Sequence, residues 1–284
     1  MKKKFMALTA AGIAAACAVS LTACSDSDTI YVDTNAYFAP FEYYDSNLNI
    51  AGADVDIMNM VGKKLGKKVV FENTDFDAII PNVAQENNKY DCGAAGITIT
   101  DARKEQVDFS KPYFTSVQYV ICSSTDEIAH ATSTDGKNAE YVLWSELAGK
   151  KIGYQRDTTG DIYVNLEIDG EKGETPEDDY IGALQGSNAV GVPYDNAQLA
   201  VDAIGADQVD VVVVDKLPAE YIVGKNTNYK CYALYYDSET ATEEEYAIAV
   251  HKGNTELLNA INAVLDELGE EGVNTLVSYH FLVS

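Results

Sequence analysis

Three groups of residues in this sequence could together bind a small molecule that carries both a negative and a positive charge. Arg103 follows the small residues Gly96 to Thr98, and a guanidinium there could pair with a carboxylate. Thr158 and Thr159 open a predicted helix, where free backbone amides can hold an anion. Asp215 ends a run of valines and could accept hydrogen bonds from an ammonium group. Together they form a complementary set for a zwitterion.

Each of these residues also has a plainer structural interpretation. Arg103 could lie on the surface, as most arginines do. Asp215 could simply end a strand or cap the helix that follows it. The position of Arg103 after a run of small residues favours binding, because such residues let a ligand approach the backbone.

The elements that would position these residues alternate between strands and helices. Strands are predicted at residues 30–34, 68–72, 151–155 and 209–214, and helices at 54–66, 76–85, 158–166, 196–205 and 254–271. The last helix is amphipathic and is predicted to stop near Gly269 or Gly272. This alternation predicts an α/β fold with mainly parallel sheets flanked by helices. Ligands of such sheets bind outside the carboxyl ends of the strands.

The composition argues against some classes of partner. The 284 residues include 20 Lys plus Arg and 45 Asp plus Glu, a formal net charge of −25. Nucleic acid and anionic lipid headgroups are bound by clustered basic residues, so no nucleic-acid partner is expected. The acidic segments 167–179 and 237–245 are predicted to be solvated surface.

The cysteines and histidines predict no metal site and no cofactor. Cys92, Cys122 and Cys231 form no CxxC unit, and the three histidines do not cluster with them. At most one disulfide is possible among these three cysteines, and the sequence does not show which pair would form it.

The amino terminus has the layout of an export signal. Lys2 to Lys4 precede an apolar stretch at residues 5–21, and Leu21-Thr22-Ala23-Cys24 is similar to the lipobox of bacterial lipoproteins. Residues 1–23 are therefore predicted to be a signal peptide, Cys24 the lipid attachment site, and 24–28 a tether. The alternative is an ordinary signal peptide with an incidental Cys24.

From about residue 30 to the end, the sequence resembles the bacterial extracellular solute-binding proteins that serve polar-amino-acid ABC importers. The segments that carry the resemblance lie in family order at residues 35–42 (NAYFAPFE), 54–56 (DVD), 76–81 (FDAIIP), 96–103 (GITITDAR), 107–113 (VDFSKPY), 152–160 (IGYQRDTTG) and 210–221 (DVVVVDKLPAEY). Each segment is weakly specific, and their order together carries the resemblance.

The resemblance implies a two-lobed periplasmic-binding-protein fold of type II, with two hinge strands near residues 120–123 and 244–249. The first lobe would comprise residues 29–119 plus 247–284, and the second lobe residues 120–246. The implied function is that of a substrate-binding lipoprotein, which captures a polar or charged L-amino acid between closing lobes. Its implied partners are the transmembrane subunits of an ABC permease with their ATPase. A monomer, held by its lipid on the outer face of the bacterial cytoplasmic membrane, is expected.

The resemblance also implies roles for single residues. Arg103 would pair with the ligand α-carboxylate and Asp215 with the α-ammonium group. The other residues expected to bind the ligand or line its pocket are Asn35, Phe38, Phe76, Gly96, Thr98, Thr158 and Thr159. Relatives usually have glycine where this chain has Asp157, which leaves the direction of that loop open.

Two alternatives to transport, and the identity of the ligand, stay open at this point. A cleft enzyme on the same fold, of the dehydratase type, would need a catalytic carboxylate. A ligand sensor would need a partner receptor. Asn35 is neutral where some binders of basic amino acids have Asp, which weakens a Lys or Arg ligand without excluding it.

Overall fold

The computed structural model describes residues 28–284, which form two α/β lobes. The predicted signal peptide, Cys24 and all but the last residue of the predicted tether lie outside the described residues. Within residues 28–284, the structure contains no helix that is both long and apolar enough to span a bilayer.

The described chain contains sixteen strands and seven α-helices. The strands are β1 (Thr29–Thr34), β2 (Tyr37–Phe38), β3 (Glu42–Tyr44), β4 (Ile50–Ala51), β5 (Lys68–Asn73), β6 (Cys92–Gly93), β7 (Asp108–Phe109), β8 (Phe114–Ser123), β9 (Ala131–Thr132), β10 (Glu140–Leu143), β11 (Lys151–Gln155), β12 (Val190–Tyr194), β13 (Val211–Asp215), β14 (Tyr229–Tyr235), β15 (Glu243–Tyr246) and β16 (Ala249–Val250). The helices are α1 (Ala53–Leu65), α2 (Phe76–Ala84), α3 (Asp101–Lys104), α4 (Thr159–Asp169), α5 (Ala197–Gly205), α6 (Lys216–Lys225) and α7 (Thr255–Val283), and a 3₁₀ turn spans Trp144–Leu147.

The first lobe is built on a sheet with the order β5-β1-β6-β16-β7. Strands β5, β1 and β6 are parallel, whereas β16 is antiparallel to both of its neighbours. A small antiparallel sheet, β2-β3-β4, follows β1 and contacts α1. The carboxyl ends of β1 and β6 therefore lie side by side, and Asn35 and Gly96 follow them.

The second lobe is built on a sheet with the order β12-β11-β13-β8-β14-β10-β9. The four valines of β13 are all buried, as expected for a strand that is covered on both faces. Strands β12, β11 and β13 are parallel, but β8 runs antiparallel to β13 and β14. Both sheets are thus mixed, because the strands that arrive from the other lobe enter in the opposite direction.

Two antiparallel strands connect the lobes. The first half of β8, Phe114 to Val117, pairs with β15, and its second half pairs with β13 and β14 inside the second sheet. The paired crossing lies at residues 114–117 and 243–246. On the first strand this is several residues earlier than the predicted 120–123, because residues 120–122 have sheet partners on both sides and Ser123 pairs with β14.

Two surface features differ from the prediction. Helix α7 continues to Val283, but its backbone is broken at Gly269, where φ is 59° and ψ is 179°. Helix α4 extends into the acidic segment, and Glu167 is only 1% exposed. Its carboxylate accepts hydrogen bonds from the Tyr180 hydroxyl (2.5 Å) and the Ala183 amide (2.7 Å), so it folds the following loop back onto α4.

The described cysteines Cys92, Cys122 and Cys231 are all free thiols. Among residues 28–284, no group of three or more His, Cys, Asp or Glu side chains is arranged to hold a metal ion.

Two buried carboxyl groups join the small sheet to α1 behind the predicted site. Asp54 accepts hydrogen bonds from the Tyr113 hydroxyl (2.6 Å) and from the Gly96 amide (3.0 Å), and so holds the loop that contains Gly96. Burial raises the pKa of Asp54 to about 6. Burial, together with the charges of Asp54 and Asp215, raises the pKa of Glu42 well above its ordinary value. Both carboxyl oxygens of Glu42 are buried without a hydrogen-bond partner among the described residues, so the neutral, protonated acid is the favoured form.

Replacing Glu42 with glutamine is expected to stabilise the protein increasingly as the pH rises. Because the pKa of Glu42 is raised in the folded state, its contribution to stability is fully present below the ordinary pKa of 4.5 and is lost at higher pH. Glutamine imitates the protonated acid and does not titrate. The free energy of unfolding of Glu42→Gln, relative to the wild type, should therefore rise between pH 5 and pH 8, by at most about 1.4 kcal/mol per pH unit.

Urea unfolding at pH 5, 6.5 and 8 measures this trend. Glu86→Gln, which changes an exposed glutamate, serves as the control and should differ from the wild type by the same amount at each pH. A constant difference between Glu42→Gln and the wild type across this range would contradict the prediction.

Candidate functional site

One small cavity lies between the lobes, at the carboxyl ends of strands from both sheets. Its lining includes all nine residues predicted to contact a ligand and one that was not predicted, Gln155. The lining residues are Asn35, Phe38, Phe76, Gly96, Thr98, Arg103, Gln155, Thr158, Thr159 and Asp215. The cavity has a volume of about 10 Å³, room for about one water molecule. The lobes are therefore closed onto each other, and a larger ligand requires them to part.

Arg103 is buried in the wall of this cavity and bonds to both lobes. It lies in α3, whose N-cap Thr100 accepts a hydrogen bond from the Arg103 amide (3.2 Å). Its Nη1 donates to the Thr98 carbonyl (2.8 Å) in the first lobe, and its Nη2 donates to the Asp157 carbonyl (2.6 Å) in the second. Its guanidinium carbon lies 5.5 Å from the centre of the Phe76 ring. These contacts hold a cation at a fixed place, although the side chain is only 9% exposed.

The loop around Asp157 keeps the geometry that glycine would give it. Asp157 has φ of 59°, in the left-handed region that aspartate tolerates better than most residues. Its amide donates to the Asp161 carboxylate (2.8 Å), and its side chain is exposed. The open question about this loop is thereby resolved: the carbonyl oxygen of Asp157 points to Arg103 and its carboxylate lies at the surface.

The threonines that line the cavity have different roles. Thr158 is the N-cap of α4, and its hydroxyl donates to the Gln155 carbonyl (2.8 Å). Thr98 in the first lobe and Thr159 in the second place their hydroxyl oxygens 3.4 Å apart. Both hydroxyls donate to the same oxygen of Glu244, Oε2, at 2.6 Å and 2.5 Å.

Glu244 is the residue of this site that the sequence analysis placed wrongly. The acidic segment 237–245 was predicted to be solvated surface, but Glu244 is only 5% exposed. Its other oxygen, Oε1, accepts a hydrogen bond from Gln118 Nε2 (2.6 Å). The available signal was the period of two in β15, where Glu243 and Glu245 are exposed while Glu244 and Tyr246 are buried.

Asp215 ends β13 beside Glu244 and is 4% exposed. It accepts a hydrogen bond from the Tyr246 hydroxyl. Burial, and then the charge and hydrogen bond of Glu244, raise the pKa of Asp215 well above its ordinary value. Asp215 thus lines the same cavity as Arg103, and Glu244 lies beside Asp215.

Amide and aromatic side chains complete the lining. Asn35 donates to the Thr74 carbonyl (2.7 Å) and accepts from Gln155 Nε2 (3.1 Å), which is a further bond between the lobes. Phe38 is both lining and core, because its ring also lies 6.0 Å from Phe41 and 6.3 Å from Tyr246. Glycine is required at position 96, where φ is 54° and a Cβ atom would lie 2.7 Å from the Phe38 ring.

Comparison with known proteins identifies the family. The family described as bacterial extracellular solute-binding proteins, family 3, matches residues 30–281. A probable histidine-binding protein of Neisseria gonorrhoeae is 29% identical over 242 residues, which cover 85% of this chain and 78% of that protein. A putative ABC transporter arginine-binding protein 2 of Escherichia coli is 28% identical over 278 residues, which cover 96% of this chain and 95% of that protein.

Solved structures share the fold over nearly the whole described chain. An ancestral arginine-binding protein, solved bound to arginine and also bound to glutamine, is 32% identical and superposes with a TM-score of 0.70. With glutamine bound, the match covers 90% of this chain and 99% of that chain. The fold is the type II periplasmic-binding-protein fold that the motifs predicted. The chain therefore belongs to the bacterial extracellular solute-binding proteins of family 3.

Proposed function

We propose that this protein is the substrate-binding component of an ABC importer and captures a polar or charged L-amino acid between its two lobes. The observation that carries the proposal is that Arg103 of the first lobe and Asp215 of the second line one cavity between the lobes. A guanidinium suits an α-carboxylate, and a carboxylate suits an α-ammonium group. The arginine- and histidine-binding relatives, and the ancestral protein bound to arginine or glutamine, support a ligand of this class.

The lobes would open to admit the ligand and close around it. Arg103 and Gln155 each bond to the opposite lobe, so the closed form has contacts of its own. A ligand that engages Arg103 and Asp215 together interacts fully with the closed form alone and therefore favours it. Charge-assisted hydrogen bonds contribute roughly 1.5–3 kcal/mol each, so a few of them are sufficient to set this preference.

We propose lobes of residues 29–119 plus 247–284 and of residues 120–246, joined at the paired strands β8 and β15. The closed form would then dock, as a monomer, on the permease subunits that work with the ATPase. At the amino terminus, cleavage before Cys24 and acylation of its thiol would leave the protein on the outer face of the cytoplasmic membrane. The motif at residues 21–24 supports this step.

We propose binding without turnover as the activity. The buried pair Asp215 and Glu244 is the feature that a cleft enzyme would use, so a turnover assay on the bound amino acid tests that alternative. Recovery of the ligand unchanged after prolonged incubation is expected. A sensor would close in the same way but would need a receptor rather than the permease for its effect.

Replacing Arg103 with alanine is expected to weaken amino-acid binding by at least about 100-fold, since a charge-assisted pair with the α-carboxylate is lost. A thermal-shift screen of the twenty amino acids plus cystine and ornithine first identifies the ligand, and calorimetry then measures its affinity. Circular dichroism checks that the variant is folded.

Arg156→Ala is the matched control, because Arg156 is the other arginine of the sequence and forms an exposed salt bridge with Asp195. Its affinity should equal that of the wild type. Unchanged affinity in folded Arg103→Ala would refute the assignment of Arg103.

Replacing Cys24 with alanine is expected to release the protein from the membrane, because no thiol remains for acylation. Labelling of cells with a fatty-acid analogue, followed by fractionation, measures both the modification and the location. The wild type should be labelled and sediment with membranes. Cys92→Ala, which changes a buried thiol of the folded body, should behave like the wild type. Label that persists in Cys24→Ala would contradict the proposal.

A further inference from the structure

Glu244 has contacts that simple recognition of a zwitterion does not require. Its carboxylate receives hydrogen bonds from Thr98 in the first lobe, Thr159 in the second lobe and Gln118 on β8. It also lies beside Asp215, which is expected to meet the α-ammonium group. A single carboxylate on one crossing strand thus accepts hydrogen bonds from both lobes and from the other crossing strand.

These bonds determine which hydrogen-bonding groups face the ligand. A threonine hydroxyl has one proton, and Thr98 and Thr159 both direct theirs to Glu244. Their oxygens can then offer only lone pairs to a ligand. Tyr246 likewise directs its proton to Asp215. This end of the cavity therefore consists of acceptors, and a ligand must bring donors to it.

The charges around the cavity also favour a ligand that brings an additional positive charge. An α-ammonium group at Asp215 would keep this carboxylate ionised, so in the bound state Asp215 and Glu244 contribute two negative charges against the one positive charge of Arg103. A neutral zwitterion leaves this excess of one negative charge in place, whereas a ligand with an additional cationic group removes it. Buried charge that lacks a partner is costly, and the raised pKa of Asp215 reflects that cost.

The rest of the lining does not itself carry a charge. Asn35 and Gln155 present amides, and Phe38 and Phe76 present rings. Amides can form hydrogen bonds with a polar side chain, and aromatic faces attract cations. The full negative charges that favour a cationic side chain come from the carboxylate pair, which acts through the low-dielectric interior rather than through a direct ion pair with that side chain.

We propose that Glu244 is a specificity-determining residue, through which the cleft selects amino acids with a cationic side chain over neutral ones of the same shape. The inference rests on the proposed function, because it assumes that an amino acid binds between Arg103 and Asp215. It adds the class of ligand and attributes its selection to Glu244, which was not among the residues predicted to bind the ligand.

The test compares L-arginine with L-citrulline, which has nearly the same shape but a neutral side chain. Calorimetry measures both affinities for the wild type, Glu244→Gln and Glu245→Gln. The wild type is expected to prefer arginine by at least about tenfold. The reason is that the cationic side chain of arginine compensates the unpaired negative charge of a site with an intermediate dielectric constant, whereas that of citrulline does not. In Glu244→Gln the ratio of the two dissociation constants should fall towards one.

Glutamine at position 244 is compatible with the surrounding bonds. Its amide oxygen can still accept from both threonines, and Gln118 can turn its own amide to accept from the new NH₂ group. Glu245→Gln removes one charge from the exposed face of the same strand and should keep the wild-type ratio. Glu244→Asp keeps the charge and should keep a preference for arginine.

The outcomes separate the two proposals. A wild type that binds amino acids but does not prefer arginine to citrulline overturns the role of Glu244 and leaves the importer function intact; this result needs no variant. Equal weakening of both ligands in Glu244→Gln, with an unchanged ratio, shows a merely structural role and also overturns it. A wild type that binds no amino acid in the full screen overturns the proposed function itself.

Discussion

The buried guanidinium of Arg103 is the interaction on which the cleft depends. It lies between the lobes, donates to a carbonyl oxygen of each and lines a small cavity together with Asp215. A cation in such a place is stable only with fixed acceptors around it. The helix cap at Thr100, the left-handed backbone at Asp157 and the acidic pair Asp215 and Glu244 all meet that requirement.

The motifs predicted the local structure and the residues that gather at the cavity, because both depend on short-range information. Strand β13 could be recognised from its valines, and the helix predicted at residues 196–205 is observed as α5. Asp215 is the last residue of β13, Gly96 follows β6 and Arg103 lies in the next helix, so the ends of these strands bring them to one cavity. The same reasoning missed Gln155 because its side chain acts across the interlobe gap, which no sequence spacing reveals.

The errors share a physical cause, which is that acidic residues were judged by composition rather than by the direction of their side chains. Glu167 and Glu244 both belong to acidic segments, yet each is buried and receives hydrogen bonds from residues distant in the chain. Likewise, the crossing at residues 114–117 depends on which strand pairs with β8, and that partner follows more than a hundred residues later. The burial of these glutamates and the position of the crossing therefore depend on which distant segments pack together in the folded protein.

The bond from Arg103 to Asp157 uses the main chain of the second lobe, not its side chain. Any residue that adopts the same left-handed backbone would present the same carbonyl oxygen. Glycine and asparagine adopt this backbone as readily as aspartate, so the charge at position 157 can change while the bond between the lobes persists. This contact between the lobes is therefore determined by the backbone conformation at position 157 rather than by the chemistry of its side chain.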